Sequence, residues 1–254
     1  MTKQQPYGTV LIKAAKIMDY LSLAKIPPTL KDIAATSEMT MSTTLKILET
    51  LNLIGFVTKN DKDKTYTIGP AMARYGNKYM EESKLKDISG PILENLQTKV
   101  DETIHLGVAN GHELIYIDKL EPKHQSIFMS SKIGMSRPLY STGMGKIFLS
   151  SFTEEQLSNY LAETPLHAYT QHTIVEPQQL IEEIDRIRKT ATAFDDEEME
   201  KDCFCVAMPI QKGNDLEGSF SVSMPKFRAS EERVQEIISA MLQAKSQMEE
   251  ALTS

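Results

Sequence analysis

Apolar residues at helical spacing open the chain. One stripe of the segment 10–24 carries Val10, Ala14, Ile17, Met18 and Leu21. Two lysines of the same segment fall off this stripe, which makes the segment amphipathic. The pattern predicts a helix whose apolar side packs under the elements that follow.

A helix-turn-helix is predicted over residues 29–53. Thr29 follows two prolines that cannot continue a preceding helix. Its hydroxyl can cap a new helix, and Asp32 can reach back as an Asp variant of the capping box. After a turn at residues 37–39, Thr40 or Ser42 can cap the second helix. The residues expected to face inward are Leu30, Ile33, Ala34, Leu45, Leu48 and Leu51, with Ile47 flanking.

A charged hairpin is predicted directly after the second helix. Two short alternating runs, residues 56–59 and 65–68, flank a polar turn. A helix-turn-helix with such a hairpin is a winged helix. Lys59, Lys62 and Lys64 would line the wing, where a phosphate contact is natural. The alternative is a solvated loop, since two aspartates dilute the charge of the lysines.

Small hydroxyl groups crowd the first turns of the second helix. Ser and Thr are unfavourable in a helix interior, so the occurrence of Ser42, Thr43 and Thr44 in a row at the start of this helix requires an explanation. Such side chains, with Lys46, can approach base edges and phosphates in a major groove. The alternative is a solvated helix start with capping hydroxyls. The expected DNA-contact residues are Thr29, Thr40, Ser42, Thr43, Thr44, Lys46, Lys59, Lys62 and Lys64.

The apolar period changes from helical to alternating after residue 102. A helix over 71–82 and another over 85–100, interrupted near Gly90-Pro91, precede this change. Residues 103–120 predict a hairpin with a type I′ turn at Asn110-Gly111, and residues 126–129 suggest a third strand. Strands at 204–210 and 219–224 and helices starting near 143, 154 and 177 follow. A terminal helix should bury Val234, Ile237, Ile238, Met241 and Leu242. Strands flanked by helices predict an α+β domain.

Charge is divided unequally along the chain. The net charge is −7, yet residues 1–80 hold 11 Lys and Arg against 6 Asp and Glu, and the remaining residues hold 17 against 29. A basic module joined to an acidic one is typical of a DNA-binding domain with an attached sensor. No apolar run has the length of a membrane span, and the polar N-terminus is no signal peptide, so no membrane partner is expected. Cys203 and Cys205 are too close along the chain for an ordinary disulfide, which indicates a reducing, cytoplasmic compartment.

Three short motifs lie in the first half of the chain: Ser42-Thr43-Thr44, Gly55-Phe56-Val57 and Tyr66-Thr67-Ile68-Gly69. Six more lie in the second half, at residues 102–106, 141–146, 172–174, 195–198, 205–210 and 221–225. In this order they resemble the IclR family of bacterial transcriptional regulators, over essentially the whole chain. The resemblance implies an α+β two-domain protein with a winged helix-turn-helix at 1–69, a linker helix at 70–83 and a GAF-like effector domain at 84–254 with a mainly antiparallel sheet. It also implies a double-stranded DNA operator, a small organic-acid effector and a homodimer or homotetramer.

The resemblance also implies an effector pocket. Its loop would begin at residue 141, where backbone N–H groups at a helix start suit a carboxylate. The alternative is a Gly-rich cap with nothing bound. The expected effector-binding residues are Ser141, Thr142, Gly143, Met144, Asp195, Cys205, Ser221 and Ser223. Alternation places the two serines on one face of their strand and the two cysteines on one face of theirs, with Cys203 expected to fill core. Asp195 would either bond a ligand hydroxyl or only hold its loop.

The chain also departs from the family pattern. Lys46 stands where the family often has Arg, Ala191-Thr192 where it usually has Gly-Tyr, and Asp202 where it usually has Gly. Asp202 adds negative charge close to the expected pocket. Arg forms a planar fork that Lys lacks, so the contact at position 46 would lose bidentate geometry.

Neither catalysis nor metal binding is expected. Cys205, His105 and Asp195 could be imagined as nucleophile, base and orienter, but their spacing does not support it. The five histidines lack metal-ligand spacing, and no cofactor is expected. The leading hypothesis is a ligand-responsive regulator that reads a palindromic operator. The second is a GAF-like small-molecule-binding or catalytic protein whose winged helix mediates protein contacts.

Overall fold

A computed structural model describes residues 7–127 and 129–253. Contacts between residues divide the chain into two compact units, with the division between Glu82 and Ser83. The elements of the first unit are α1 (Thr9–Leu23), α2 (Leu30–Thr36), α3 (Met41–Leu53), β1 (Val57–Asn60), β2 (Thr65–Ile68) and α4 (Ala71–Glu82). Two helices, a turn and a hairpin follow one another as the sequence predicts. The winged helix-turn-helix is confirmed.

The core of the first unit joins all three of its early helices to the wing. Ile17, Ile33 and Leu48 are fully buried, and Val57 and Tyr66 close the core from the hairpin. Two details differ from the predicted inward faces. Val10 is exposed, because it lies in the first turn of α1 beyond this core, and Ile47 is more deeply buried than Leu45. Packing against the hairpin decides which side of α3 turns inward.

The wing is an antiparallel pair with a turn held by Asn60. Val57 pairs with Ile68, and Asn60 pairs with Thr65. The Asn60 Oδ1 atom accepts the backbone N–H of Lys62 at 3.0 Å, and its amide donates to Asp63 Oδ2 at 3.0 Å. An Asn side chain that bonds the backbone two residues on is a common way to fix a turn. The lysines of the turn are therefore carried on an ordered loop.

The second unit is one six-stranded sheet with helices. Its strand order is β5-β4-β3-β8-β7-β6, and every neighbouring pair is antiparallel. The strands are β3 (Thr103–Asn110), β4 (Glu113–Leu120), β5 (Ser136–Pro138), β6 (Ala193–Asp196), β7 (Cys203–Lys212) and β8 (Asp215–Pro225). The helices are α5 (Lys84–Val100), α6 (Gly143–Ser150), α7 (Glu154–Glu163), α8 (Pro177–Thr190) and α9 (Glu231–Thr253). The predicted α+β class and the mainly antiparallel sheet are confirmed.

The two faces of the central strands differ in chemistry. His105 pairs with Ser221 across β3 and β8, while the neighbouring Ile104 pairs with Val222. Side chains alternate across a strand, so polar groups collect on one face and aliphatic groups on the other. Helix α9 packs on α5 and β7. The polar face is where the candidate site lies.

Four sequence expectations for this unit are wrong. Helix α5 runs without a break through Pro91, because its buried residues Leu85, Leu93, Leu96 and Val100 hold it against its neighbours. The expected strand at 126–129 is not a strand at its described residues, and its Phe128 lies outside them. Residues 136–138, which the sequence did not single out, pair with β4 instead. Leu242 is exposed rather than buried, and Ala244 and Met248 take the inward positions on α9.

The fourth wrong expectation concerns the hairpin turn between β3 and β4. Asn110 pairs directly with Glu113, so the two central residues are Gly111 and His112. Gly111 has a φ of +60°, whereas His112 is not among the residues with positive φ. A type I′ turn needs positive φ at both central positions. The Asn therefore ends the strand instead of forming the turn.

None of the helices in the described ranges has the length and apolar character needed to cross a bilayer.

Candidate functional site

The start of α3 is built by capping threonines. Thr40 is the N-cap, and its hydroxyl oxygen accepts the backbone N–H of Thr43 at 3.2 Å. At α2, Thr29 and Asp32 form the predicted capping box: the Thr29 hydroxyl donates to Asp32 Oδ2 at 2.7 Å and the Thr29 backbone N–H donates to the same oxygen at 2.9 Å. Caps of this kind satisfy backbone donors that the helix leaves free. The Thr29 hydroxyl is thus engaged within the protein.

The expected contact residues on α3 do not all face outward. Ser42 and Lys46 are exposed and Thr43 is half-buried. Thr44 is fully buried, and its hydroxyl donates to the Thr40 carbonyl at 3.0 Å. The expectation that Thr44 contacts DNA is contradicted, because its position on the helix turns it toward the core beside Ile47 and Leu48. Consecutive hydroxyl residues in the sequence thus lie on different sides of α3, which the residue types alone do not indicate.

The wing carries its positive charge at the surface. Lys59 Nζ lies 3.5 Å from Asp61 Oδ1, and Lys64 Nζ lies 3.8 Å from the same atom. Both pairs are exposed, so solvent screens them and they release a lysine at little cost. Lys46 and Lys62 have no carboxylate within ion-pair distance among the residues that the structure describes. These side chains are available to a polyanion.

A pocket opens on the polar face of the sheet in the second unit. It encloses about 370 Å³ of empty space, part of it open to solvent. Its walls are formed by His105, Tyr116, Met129, Ser131, Arg137, Thr142, Asp195, Met199, Glu200, Cys203, Cys205 and Ser223. Small convergent polar groups beside aromatic and thioether surfaces are typical of a ligand pocket.

His105 is the hydrogen-bonding centre of the pocket floor. Its Nδ1 atom lies 3.4 Å from Ser221 Oγ and 3.3 Å from Ser223 Oγ, and its Nε2 atom lies 2.6 Å from Ser131 Oγ. Burial, aided by the positive charge of Lys119, lowers the pKa of His105 to about 3. The ring is neutral at physiological pH, and hydroxyl groups occupy both nitrogens. His105 therefore orients serines and has no free nitrogen to serve as a base for Cys205.

Asp195 lies on β6 beside the pocket and holds the loop that follows it. Its Oδ1 atom accepts the backbone N–H of Glu198 at 2.8 Å and that of Met199 at 3.3 Å. Burial raises the pKa of Asp195 to about 7, and the negative charge of Glu198 adds to the shift. A carboxyl group of this kind is partly protonated near neutral pH and can donate a hydrogen bond. The residue both holds its loop and lines the pocket.

A buried lysine pairs with one acid of this loop and one acid of α8. Lys146 on α6 is fully buried, and its Nζ atom lies 2.5 Å from Glu198 Oε1 and 3.7 Å from Glu183 Oε1. Glu183 also accepts two hydrogen bonds from Arg186, at 2.7 and 2.8 Å. Burial raises the pKa of Glu198, against the opposing effect of Lys146. A charge this deeply buried requires a partner, so Lys146 couples α6 to the 195–199 loop.

The structure brings four of the eight expected effector-binding residues to the pocket wall: Thr142, Asp195, Cys205 and Ser223. Ser221 lies beneath the wall and reaches it through His105. The other three lie behind it. Ser141 and Met144 are buried, with Ser141 Oγ donating to the Pro138 carbonyl at 3.3 Å, and Gly143 packs against Ala207. Of the residues at the start of α6, only its cap, Thr142, forms part of the pocket wall, and contact of Ser141, Gly143 and Met144 with a ligand stays a prediction.

Sequence reasoning does not assign several residues of the pocket. His105 is one of them, although its position opposite Ser221 on the polar face is a usable signal. Cys203 was expected to fill core, whereas it lines the pocket with Cys205, since both belong to one face of β7. Arg137, which lies 3.6 Å from Glu200 Oε1, comes from the unpredicted strand β5. No local pattern marks such a residue.

No cluster of three or more His, Cys, Asp and Glu side chains suited to a metal ion exists within residues 7–127 and 129–253.

A winged helix-turn-helix followed by a separate domain with a polar pocket defines a class of DNA-binding regulators. The family described as IclR helix-turn-helix domain matches residues 10–61, and that described as bacterial transcriptional regulator IclR C-terminal matches residues 77–250. The chain belongs to the IclR family of DNA-binding transcriptional regulators.

Individual relatives agree with this assignment. The chain is 31% identical over 237 residues to the transcriptional repressor IclR of Escherichia coli strain K12, covering 92% of this chain and 86% of that protein. It is similar to the IclR structure from Thermotoga maritima, with 31% identity, a TM-score of 0.69 and coverage of 98% and 100%. An IclR homologue from Microbacterium hydrocarbonoxydans complexed with 4-hydroxybenzoate shares the fold at 17% identity, with a TM-score of 0.72 over 94% of this chain and 98% of that one.

Proposed function

We propose that this regulator is a repressor that binds a palindromic operator as a homodimer or homotetramer and responds to a small organic acid. The observation that carries the DNA-binding part is the exposure of Ser42 and Lys46 on α3. Small hydroxyl groups and a lysine at the start of a recognition helix can reach base edges and phosphates. The E. coli relative, which is named a repressor, supports the sign of regulation.

The proposed DNA surface is smaller than the sequence suggests. Ser42, Thr43 and Lys46 would enter the major groove, and Lys59, Lys62 and Lys64 would contact phosphates of the backbone. Thr40 would hold the N-terminus of α3 toward the duplex as its cap. Thr29 would contribute to this surface only by capping α2, and Thr44 would not belong to it.

Two copies of the winged helix are needed for a palindromic operator, because the symmetry of the site mirrors that of the protein. Leu11, exposed by 72%, and Val10, exposed by 54%, lie on α1 without apolar cover. Apolar residues grouped at a surface are frequent at interfaces. We propose that they contribute to assembly, and sedimentation of the protein with Leu11→Ser would detect the loss of that association.

The pocket chemistry supports an organic acid as the effector. Arg137 supplies a guanidinium that can bind a carboxylate, and Thr142, Cys205 and Ser223 supply short polar groups at the wall. The part-protonated Asp195 can donate to a ligand hydroxyl. The 4-hydroxybenzoate bound by the Microbacterium homologue supports including aromatic acids beside sugar acids and keto acids in a screen.

A gel-shift assay on the DNA flanking the gene tests operator binding. Lys46→Ala should weaken binding and reduce the slope of log affinity against log salt by about one. Lys212→Ala is the matched control, because Lys212 is an exposed lysine at the β7–β8 hairpin of the second unit. Equal binding by the Lys46→Ala protein and the unchanged protein would exclude α3 as the reading helix. Retardation competed equally by any DNA would favour a role of the winged helix in protein contacts.

A thermal-shift screen tests the effector. A ligand that binds only the folded protein raises the melting temperature in a concentration-dependent way. Arg137→Gln should abolish the rise in melting temperature that acids produce, and the rise that neutral analogues produce should stay unchanged. An acid that stabilises the Arg137→Gln protein equally would contradict the proposed carboxylate contact.

A further inference from the structure

Two other sulfur atoms lie next to the Cys203 sulfur in the pocket. Cys203 Sγ is 3.5 Å from Met129 Sδ and 3.7 Å from Cys205 Sγ. Both cysteines are free thiols. Their side chains share a face because they stand two residues apart on β7. The cluster of Met129, Cys203 and Cys205 is here called the sulfur triad.

The spacing within the triad fits coordination of a metal ion. A metal–thiolate bond is about 2.3 Å long, so two thiolates at tetrahedral or trigonal angles about one ion stand about 3.7 to 4.0 Å apart. The measured separation of the two Sγ atoms is 3.7 Å. A disulfide would instead require the sulfurs to approach to about 2.05 Å. The two thiols thus fit a shared ion without movement of the strand, and Met129 Sδ, 3.5 Å from Cys203 Sγ, would move outward by a few tenths of an ångström to join them.

The backbone of Met129, the residue that carries the third sulfur, is held by a partly buried lysine. Lys119 Nζ donates to the Met129 carbonyl at 2.8 Å and to the Ser131 carbonyl at 2.7 Å. These bonds fix the 129–131 segment against β4, which carries Lys119. Met129 is therefore positioned opposite β7 by its backbone.

We propose that the sulfur triad binds a soft, monovalent metal ion of the Cu(I) class. Thiolate and thioether ligands select such ions, whereas Mg²⁺ and Ca²⁺ require oxygen donors. Zinc is usually bound by four N, S or O ligands, and the nearest imidazole, His105, has both nitrogens occupied by serines. Each thiol would release its proton to solvent as its sulfur binds the ion.

The site lies within the pocket proposed for the organic acid but depends on neither that acid nor DNA. Thr142, Asp195 and Ser223 share the same wall. An ion at the triad would reduce the space for an acid. Direct metal binding can be measured with no DNA present, so its failure would leave the regulator assignment untouched.

Anaerobic titration of the full chain with Cu(I), in competition with a chromogenic Cu(I) chelator, tests the proposal. One ion should bind per chain. Cys203→Ser and Cys205→Ser should each weaken binding by at least about a hundredfold, and Met129→Leu by at least about tenfold. Met41→Leu is the matched control, since Met41 is an exposed methionine in the first unit. Circular dichroism and thermal unfolding check that each variant folds.

Four outcomes would overturn the proposal. The first is no competition with the chelator by the unchanged protein. The second is retention of full affinity by the folded Cys203→Ser or Cys205→Ser protein. The third is equal loss in Met129→Leu and Met41→Leu. The fourth is a Zn(II) affinity above that for Cu(I), which would assign the site to a harder ion.

Discussion

Asp195 Oδ1 accepts the backbone N–H of Glu198 at 2.8 Å, so these two acids of the 195–198 motif lie in one turn. Burial raises the pKa of Asp195 to about 7, and the negative charge of Glu198 adds to the shift. The acid is protonated more readily when folded than when unfolded. The contribution of protonated Asp195 to the free energy of unfolding is therefore complete below the pKa of the unfolded state, near 4, and is lost as pH rises to about 7.

Asp195→Asn should remove this pH dependence. Asn keeps an oxygen for the Glu198 N–H and cannot ionise. The free energy of unfolding of the unchanged protein should fall by up to about 4 kcal/mol between pH 4 and pH 7 through this group, and that of the variant should fall by less. Urea unfolding at several pH values measures both. Asp215→Asn, at an exposed hairpin residue, is the control, and an equal pH profile in Asp195→Asn would contradict the burial of its charge.

Lys146→Met should destabilise the second unit strongly. The change leaves the buried Glu198 without its cation at 2.5 Å. Loss of one partner of a buried pair costs about 3 to 5 kcal/mol. Chemical denaturation measures the loss, and Glu198→Gln in the same chain should recover part of it. Additive losses in the double variant would exclude the coupling between these residues.

Ala191→Gly should stabilise the protein. Ala191 ends α8 with a φ of +50°, a backbone conformation that an alanine side chain disfavours and glycine accepts. We expect a gain of about 0.5 to 1 kcal/mol in the free energy of unfolding. Ala229→Gly is the control, because Ala229 has a φ of −82° and should only lose stability. Equal losses in both variants would show that residue 191 carries no strain.

Thr44→Val should leave operator affinity unchanged, in contrast to Ser42→Ala. Thr44 is buried and bonds the Thr40 carbonyl, whereas Ser42 is exposed on the same helix. A gel-shift titration at fixed salt compares the two variants, and thermal unfolding checks that both proteins fold. Sequence-specific loss in Thr44→Val alone would place the reading surface on the opposite side of α3.

Local patterns account for most of the elements. The capping box at Thr29 and Asp32 forms as its residues predict, and the alternating runs around residues 60–64 pair as a hairpin. These features depend on residues within a few positions of one another, so a linear reading can find them. Where a longer-range contact competes, the reading fails: Pro91 stays inside α5 because buried leucines hold the helix on both sides of it.

The sequence by itself determined the order of elements, the basic first module and the motifs that place the chain in its family. Tertiary structure decided which of those residues are accessible. In the folded chain Thr44 faces the core, and Ser141 and Met144 lie behind the pocket wall. His105, Arg137 and Cys203 line the pocket from three separate strands. The physical reason is that element formation depends on near neighbours along the chain, whereas a pocket is the meeting of side chains far apart in sequence, set by strand register and helix packing.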